Sequence, residues 1–290
     1  MNWVERCTIL KTRWGSHAFG TATPTSDVDI RGVCIPPARF LLGLSRFEQY
    51  EDREGEVVIY GLAKFARLAL ANNPNMFDIL WADEADVLYL DAYGAALRAG
   101  RELFLSRRVA QTYAGYAHDQ LKRMETHYRW LHNPPDHQPT PPEFGALPHP
   151  QGGWRFPDTQ SERAYRAAIK HWQHYEHWRA HRNPERAALE ARYGYDTKHA
   201  AHLLRLYTMG IEILRAGVVR VRRPDAAWLR EVLQGRYTYE ELMNLVGTLQ
   251  EALRRAEAES TLPATPDETA VEQLVVDLQR RSLDDPRFHE

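Results

Sequence analysis

The 290-residue sequence predicts an α+β fold, in which a small mixed sheet with helices is followed by a mainly α-helical region. Short β-branched runs alternate with turn residues up to about residue 92, as expected of strands. From about Tyr60 onward, apolar residues recur at helical spacing, and this pattern dominates after residue 93. We therefore predict two domains, residues 1–92 and residues 93–290.

Three strands and one helix are predicted in the first domain. The strands are the apolar runs CTILK, VDIRGVCI and EVVIY, each bounded by Gly, Pro, Ser or Asp. The helix is YGLAKFARLAL, whose apolar residues repeat at helical spacing. It is expected to stop at Asn72 and Asn73, because the residue before Pro74 disfavours α geometry.

The second region is predicted to be helical except for residues 133–160. That segment contains eight prolines, which cannot sustain a helix, so we predict a long surface loop or flap. Gly217 is expected to end one helix in the usual glycine position. The starts of three later helices are predicted from capping patterns: Asp196 or Thr197, Thr238 with Glu241, and Thr265 with Pro266 first and Glu268 third.

Composition excludes membrane-spanning and disulfide-rich proteins. No run approaches the roughly 18 apolar residues needed to span a bilayer. Glu5 and Arg6 stand where a signal peptide needs an apolar core, so we expect a cytoplasmic protein without a membrane partner. Cys7 and Cys34 are too few for a disulfide framework or a cysteine-built zinc site.

The formal charge of −2 is unevenly distributed along the chain. Residues 1–92 carry a charge of −4, residues 93–236 carry +9 and residues 237–290 carry −7. A basic middle between acidic ends suggests a surface for phosphate-bearing partners. Basic helical faces are also common for solubility alone, so charge by itself leaves both interpretations open.

The residues that indicate chemistry lie in the stretch GSHAFGTATPTSDVDIRG. Gly15 and Ser16 form a turn where backbone amides and a hydroxyl can approach a phosphate closely. Asp27 and Asp29 begin the second strand one residue apart, so they should project from the same side. Carboxylates so placed can share Mg²⁺ ions with triphosphate oxygens. In an isolated D-x-D, the favoured interpretation is instead a turn in which Asp29 caps the backbone or pairs with Arg31.

The combination G-S-x-x-x-G-x5-S-D-x-D-h-R-G-V, where h is apolar, resembles the nucleotidyltransferase signature of the DNA polymerase beta superfamily. The segments KFARLALANNPN and YDTKHAAHLLRLYTMGIEIL make the chain similar to the RNA ligase-associated nucleotidyltransferase family, RlaP. The resemblance implies a small polymerase-beta-like nucleotidyltransferase domain over residues 1–92. It also implies two divalent cations, Mg²⁺ or Mn²⁺, and a nucleoside triphosphate donor, for which ATP is expected.

The resemblance further implies roles for individual residues of the signature. Gly15 and Ser16 are expected to bind the β and γ phosphates of the triphosphate. Asp27 and Asp29 are expected to hold the metal ions that bridge its phosphates. Both aspartates are therefore candidate catalytic residues as well as metal ligands.

A third carboxylate is generally added in this superfamily from a later strand. The matching place in this sequence is the start of EVVIY, which points to Glu56 as a catalytic residue and metal ligand. Aspartate is more frequent at this place, and glutamate reaches one methylene further. Glu54 and Asp52 are close enough in sequence to remain alternatives.

Nucleotide contacts are also expected from two other segments. Lys64 and Asn73 belong to the KFARLALANNPN segment, although a snorkelling lysine and a helix stop are the plain alternatives. Lys198, His202 and Arg205 follow i, i+4, i+7 spacing and so share one helix face. We expect this cationic stripe to face the active cleft and to contact phosphates.

Histidines and aromatic residues alternate in HWQHYEHWRAH. Histidines one helical turn apart, such as His177 and His181, can bind zinc, and aromatic residues with arginine can stack on unpaired bases. Neither pattern is specific, and the segment contains no cysteine or acid cluster. Packing of the helix against its neighbours, with a polar outer face, is the favoured interpretation.

The leading functional hypothesis is nucleotide transfer to an RNA end, such as that of a tRNA, in RNA repair or processing. The family name suggests a functional link to an RNA ligase. One alternative is AMP transfer to a protein, as in toxin-antitoxin systems, and another is a non-catalytic nucleotide sensor. A P-loop ATPase and a G-x-S-x-G hydrolase are disfavoured, because the sequence lacks both motifs.

Overall fold

The computed structural model describes residues 3–289 and contains a mixed five-stranded sheet. Three of its strands form at the β-branched runs that predict strands. The spatial order of its strands is β3-β4-β2-β1-β5. β2 and β4 run parallel, and the other neighbours are antiparallel. The strands are β1 (Thr8–Trp14), β2 (Asp29–Cys34), β3 (Gln49–Asp52), β4 (Val57–Gly61) and β5 (Val87–Leu90). The sequence did not predict β3 and β5, since four residues are too few to show a periodic pattern.

The helix predicted over YGLAKFARLAL is confirmed and ends at Leu70. Asn73 then caps the next helix, because its side-chain oxygen accepts the Asn75 N–H at 2.9 Å. Pro74 follows at the first helical position, where a missing N–H has no consequence. The helices before residue 100 are α1 (Trp3–Arg6), α2 (Ser16–Phe19), α3 (Ala38–Leu41), α4 (Leu62–Leu70), α5 (Pro74–Leu80) and α6 (Ala92–Ala99).

The later chain is mainly helical, as predicted. Its helices are α7 (Arg108–His132), α8 (Thr159–Ala180), α9 (Pro184–Tyr193), α10 (Thr197–Ala216), α11 (Ala226–Leu233), α12 (Tyr239–Glu259) and α13 (Glu268–Leu283). Thr238 and Glu241 form the predicted capping box of α12. Gly217, with a φ of 64°, follows α10 as expected. Within residues 3–289, no helix combines the length and the apolar character needed to cross a membrane.

The predicted start of the last helix is wrong by two residues. Asp267, rather than Thr265, is the N-cap of α13, and its carboxylate accepts the Ala270 N–H at 3.0 Å. The helix therefore begins at Glu268 instead of Pro266. Aspartate is at least as good an N-cap as threonine, and here it lies closer to the apolar repeat.

The proline-rich segment 133–160 is largely exposed and contains no α-helix before α8, as predicted. It nevertheless has regular elements of its own. A 3₁₀ turn covers Pro141–Phe144, and a two-stranded hairpin pairs β6 (Leu147–Pro148) with β7 (Trp154–Arg155). The segment is thus a surface loop with short local structure.

The chain groups into two compact units. One unit consists of residues up to 120 together with those from 201 onward, and the other of residues 121–200. The core of the first unit includes the buried rings of Phe65, Phe77, Tyr113 and Tyr207. The boundary predicted after residue 92 falls inside this unit, and the separation of a catalytic from a helical domain stays a prediction.

Candidate active site

Strand ends bring the predicted acidic residues to one edge of the sheet. Trp14 at the end of β1 pairs with Asp29 at the start of β2. β2 and β4 are parallel, so their first residues lie at the same edge, with Ile30 beside Val57. Glu56 directly precedes β4, and its carbonyl oxygen accepts the Ile30 N–H at 3.0 Å. Glu56 therefore stands next to Asp29, although the two are far apart in sequence.

Gly15 makes the turn at this edge possible. Its φ of 69° and ψ of −144° belong to a region that residues with a side chain rarely adopt. A Cβ at this position would lie 2.7 Å from Oδ2 of Asp29. The chain then enters the short helix α2 at Ser16 and leaves it at Gly20, whose φ is 76°. Gly15 is thus required both by the backbone conformation and by the close approach of the Asp29 carboxylate.

Asp27, Asp29 and Glu56, which we call the carboxylate edge, influence one another's charge. Burial raises the pKa of Asp29, the Arg31 guanidinium opposes this rise, and the charge of Asp27 adds to it. Burial and then the charges of Asp29 and Asp27 raise the pKa of Glu56. A carboxylate whose charge raises the pKa of another lies close enough to repel it. This repulsion is the property expected of a site that binds cations.

The three carboxylates are not gathered into a closed set of ligands. Asp27 is exposed and precedes β2, so the alternation of side chains along a strand does not apply to it as predicted. Oδ1 of Asp29 lies 3.3 Å from Nη2 of Arg31, as the turn interpretation expected. The Arg31 guanidinium also lies 4.7 Å from the centroid of a Trp14 ring. Arg31 therefore orients Asp29 against the end of β1.

Ser16 and His17 begin α2 beside the carboxylate edge. The carbonyl oxygen of Ser16 accepts the N–H groups of Thr21 and Ala22 at 2.9 and 3.0 Å, which closes the turn. Nε2 of His17 lies 3.2 Å from the Ser26 carbonyl oxygen. No role was predicted for His17, because it occupies a variable position of the signature. Its place directly after Ser16 is the signal that could have identified it.

Lys64 and Asn73 are engaged within the protein. Nζ of Lys64 donates to Oε1 of Gln49 at 2.5 Å, and Gln49 pairs with Tyr60 near the end of β4. Lys64 is therefore at the opposite end of β4 from Glu56. Nδ2 of Asn73 donates to the Tyr116 hydroxyl at 2.6 Å, in addition to the capping contact of its oxygen. The structure does not bring either side chain to the carboxylate edge, and their nucleotide contacts stay predictions.

The structure buries Arg205 instead of exposing it on the predicted cationic stripe of α10. Arg205 is buried, and its Nη1 lies 3.3 Å from Oδ1 of Asp78, which is also fully buried. A charge removed from water needs a partner, and the buried Asp78 of α5 is the partner of the buried Arg205 guanidinium. Lys198 is exposed, with Nζ 3.8 Å from Oε2 of Glu185, and His202 is half-buried. Phosphate contacts by Lys198 and His202 stay predictions.

Arg205 nevertheless packs against α2, the short helix of the signature turn. Its guanidinium lies 3.7 Å from the ring centroid of Phe19, the last residue of α2. The Arg223 N–H donates to the Phe19 carbonyl at 3.1 Å, and Nη1 of Arg230 donates to the Gly20 carbonyl at 2.7 Å. Residues well beyond the signature thus hold α2 in place, and no local sequence pattern indicates this.

The aromatic residues of α8 pack within the protein, in agreement with the favoured interpretation of HWQHYEHWRAH. Tyr175 of α8 and Trp130 of α7 are both buried, and their ring centroids lie 5.8 Å apart. Trp178 lies 5.2 Å from Trp130. Nε1 of Trp130 donates to Nε2 of His171 at 3.1 Å. These contacts form a helix interface instead of an open platform for stacking bases.

Residues 5–133 match the model of the RlaP family, described as an RNA repair pathway DNA polymerase beta family. The match contains the whole carboxylate edge and confirms the resemblance predicted from the signature. A protein of Enterobacteria phage T4 is also similar, with 26% identity over 130 residues. It is described as an uncharacterized 38.9 kDa protein in the nrdC-mobD intergenic region.

The aligned region covers 40% of this chain and only 38% of the phage protein. No solved structure matches the chain. The family match suggests nucleotidyltransferase activity for the N-terminal part, and it ends before the residues of α10 and α11 that support the signature turn.

Proposed function

We propose that this protein is a metal-dependent nucleotidyltransferase, which moves a nucleoside monophosphate from a nucleoside triphosphate to an acceptor hydroxyl. The observation that carries the proposal is the position of Asp27, Asp29 and Glu56 together at one sheet edge, beside the Gly15 turn. The proposed acceptor is an RNA end, such as that of a tRNA. The RNA repair family match and the +9 charge of residues 93–236 support this acceptor.

The carboxylate edge fits divalent cations. Mg²⁺ prefers oxygen ligands, and a bound cation would relieve the repulsion that raises the pKa of Asp29 and of Glu56. Because Gly15 has no side chain, the carboxylate of Asp29 stays accessible on this side. When bound, two such ions neutralise the triphosphate and the charge that develops as pyrophosphate leaves. Asp27, Asp29 and Glu56 are the proposed ligands.

Residues of the protein are the proposed groups that bind the phosphates and accept the hydroxyl proton. Gly15 and Ser16 are the proposed contacts of the β and γ phosphates, since the glycine turn lets backbone amides approach them. The acceptor oxygen bonds to the α phosphorus, the bond to the bridging oxygen breaks, and pyrophosphate leaves. Glu56 is the proposed acceptor of the hydroxyl proton, because it lies beside Asp29 at the carboxylate edge. Catalysis then depends on positioning and neutralisation of charge, without a covalent intermediate.

The transfer itself is tested with α-³²P-labelled triphosphates. The protein is incubated with each labelled triphosphate, with Mg²⁺ or Mn²⁺, and with either bulk tRNA or cell lysate. Asp27→Ala and Asp29→Ala are compared with Glu51→Gln, an exposed acid on β3 of the same sheet. We expect labelled RNA with the wild type and Glu51→Gln and none with the aspartate variants.

Other outcomes would redirect the proposal. Aspartate-dependent label on a polypeptide would contradict an RNA acceptor and favour AMP transfer to protein. Nucleotide binding without any aspartate-dependent label would contradict catalysis and favour a nucleotide sensor. The ion pair of Asp29 with Arg31 is the observation most compatible with a sensor, because it occupies a ligand oxygen.

Glu56 is distinguished from its alternatives by a separate comparison. Oδ1 of Asp52 accepts the Glu54 and Gly55 N–H groups at 3.1 and 3.2 Å, so Asp52 stabilises the turn before β4. Glu54 is exposed in that turn. We expect Glu56→Gln to lower the transfer rate by about 10- to 100-fold. Glu54→Gln should stay close to the wild-type rate, and a larger effect there would reassign the third carboxylate.

A further inference from the structure

A second group of metal-ligating side chains lies within the unit of residues 121–200. His127 of α7, Asp196 before α10 and His199 in its first turn form what we call the histidine cluster. Their potential ligand atoms all lie within 4.8 Å of one another. Asp196 is 1% and His199 8% exposed. Ionisable groups buried to this degree are normally paired or bound to a metal.

The start of α10 positions two members of the histidine cluster, Asp196 and His199. Oδ1 of Asp196 accepts the His199 N–H at 3.0 Å, which caps the start of α10 and leaves Oδ2 for another contact. Asp196 and His199 are three residues apart and so lie on the same side of the helix start. The His127 ring lies 5.6 Å from that of His199. Because the two histidines come from different helices, no spacing along one helix indicates that they meet.

Glu190 of α9 is the candidate fourth ligand: its Oε2 pairs with Arg182, and its Oε1 is the oxygen that faces His127. Glu190 is 3% exposed, and its Oε1 lies 3.6 Å from Nδ1 of His127. Nδ1 of His127 is itself buried and has no hydrogen-bond partner among the residues that the structure describes. A buried nitrogen without a partner requires an explanation, and an ion between His127 and Glu190 would supply one.

Arg186 contacts two members of the histidine cluster. Its Nη1 lies 3.0 Å from Oδ2 of Asp196 and 3.1 Å from Nε2 of His199. A guanidinium can only donate hydrogen bonds, so Nε2 of His199 accepts and presents its lone pair. A metal ion uses the same lone pair and the same carboxylate oxygen. The Arg186 side chain is 39% exposed, so it can withdraw into solvent when a stronger cation arrives.

We propose that the histidine cluster and Glu190 bind one divalent transition-metal ion of the zinc class, and that Arg186 takes its place in the metal-free protein. Two imidazole nitrogens and two carboxylate oxygens form a ligand set typical of zinc, whereas Mg²⁺ prefers oxygen alone. Tetrahedral ligands about 2.1 Å from zinc lie roughly 3.4 Å apart, so small side-chain rotations close the site. The ion would connect α9 and the start of α10, where Glu190, Asp196 and His199 are buried, to the half-buried His127 of α7. This proposal is independent of the proposed transferase activity.

The test uses the full-length chain carrying Asp29→Asn, so that ions at the carboxylate edge do not obscure the result. The chain is freed of metal with a chelator and titrated with Zn²⁺, and with Co²⁺ to record its visible spectrum. We expect one Zn²⁺ per chain, an intense tetrahedral Co²⁺ band and a higher melting temperature with zinc. A chain that binds no zinc and gives no such band would overturn the proposal without any further variant.

Further variants locate the ion. His127→Gln and His199→Gln should weaken zinc binding by at least about 100-fold, whereas His174→Ala, an exposed histidine of α8, should leave it unchanged. Arg186→Ala should strengthen binding by about tenfold, because it removes the competing cation. Circular dichroism identifies any variant that fails to fold. Zinc binding that persists in both folded histidine variants, or that weakens in folded Arg186→Ala, would contradict the proposed site.

Discussion

The carboxylate edge and the histidine cluster differ in how their charged groups are stabilised. At the carboxylate edge, Asp27 and Glu56 are exposed, and water screens acids that repel one another. In the histidine cluster, Asp196 is buried and already paired with Arg186 at 3.0 Å. In this protein, acids of like charge face one another where water reaches them. A buried acid needs an internal cation before any ligand binds.

The largest expected effect comes from Asp29→Asn at the carboxylate edge. Loss of a proposed metal ligand should lower nucleotidyl transfer by more than about 10³-fold, equivalent to roughly 4 kcal/mol of transition-state stabilisation. The free energy of unfolding should change by less than about 1 kcal/mol, because the exchange also relieves repulsion with its acidic neighbours. Transfer assays and urea denaturation measure the two quantities. A variant with the wild-type rate would place catalysis elsewhere.

The second effect concerns the buried pair of Asp78 and Arg205, which obeys the same rule as the histidine cluster. Arg205→Met should lower the free energy of unfolding by about 3 to 4 kcal/mol, because Asp78 is left buried without its partner. The matched control is Arg166→Met, which removes an exposed ion pair with Glu162 and should cost less than about 0.5 kcal/mol. Equal losses in both variants would contradict the argument from burial.

The same variant has an expected pH dependence. Burial raises the pKa of Asp78, and Arg205 is the main group that opposes this rise. Without Arg205, the folded protein holds a proton on Asp78 that the unfolded chain releases above its normal pKa. The stability of Arg205→Met should therefore fall, relative to the wild type, as pH rises from about 4 to about 7. Urea denaturation at several pH values checks this, and a constant difference would mean that Asp78 stays ionised.

A smaller effect is expected at the glycine turn. Gly15→Ala forces a positive φ on alanine and places a Cβ 2.7 Å from Oδ2 of Asp29, so transfer should fall by about 10- to 100-fold. Gly20→Ala also meets a positive φ, but its Cβ would lie 3.5 Å from that of Ala226, an ordinary contact. It should cost about 1 kcal/mol of stability with a smaller loss of rate. Equal rate losses would show that strain alone, and not the contact with Asp29, determines the effect.

The smallest effect is expected for Lys198→Ala. Lys198 is exposed and its Nζ lies 3.8 Å from Glu185, so the free energy of unfolding should change by less than about 0.5 kcal/mol. If Lys198 contacts a phosphate of the RNA acceptor, KM for RNA should rise about two- to fivefold, with a weaker effect at high salt. Unchanged KM values for RNA and triphosphate would remove Lys198 from the site.

Much of the local structure could be predicted from the sequence. The β-branched runs correspond to β1, β2 and β4, and the capping box of Thr238 and Glu241 starts α12 as expected. Gly15 was predicted from the signature, and the structure adds that a Cβ at this position would lie 2.7 Å from Oδ2 of Asp29. Each of these features depends on residues close together in the chain, where spacing determines geometry.

The features that could be predicted are local: periodicity, caps and the spacing of the signature. Which distant side chains meet depends on tertiary packing. Parallel pairing of β2 and β4 brings Glu56 to Asp29, and helix packing buries Arg205 against Asp78, 127 residues away. The helical pattern of α10 could not distinguish an exposed from a buried arginine, since burial depends on the partner that another helix presents. The histidine cluster arises in the same way, from helices whose contact no spacing rule predicts.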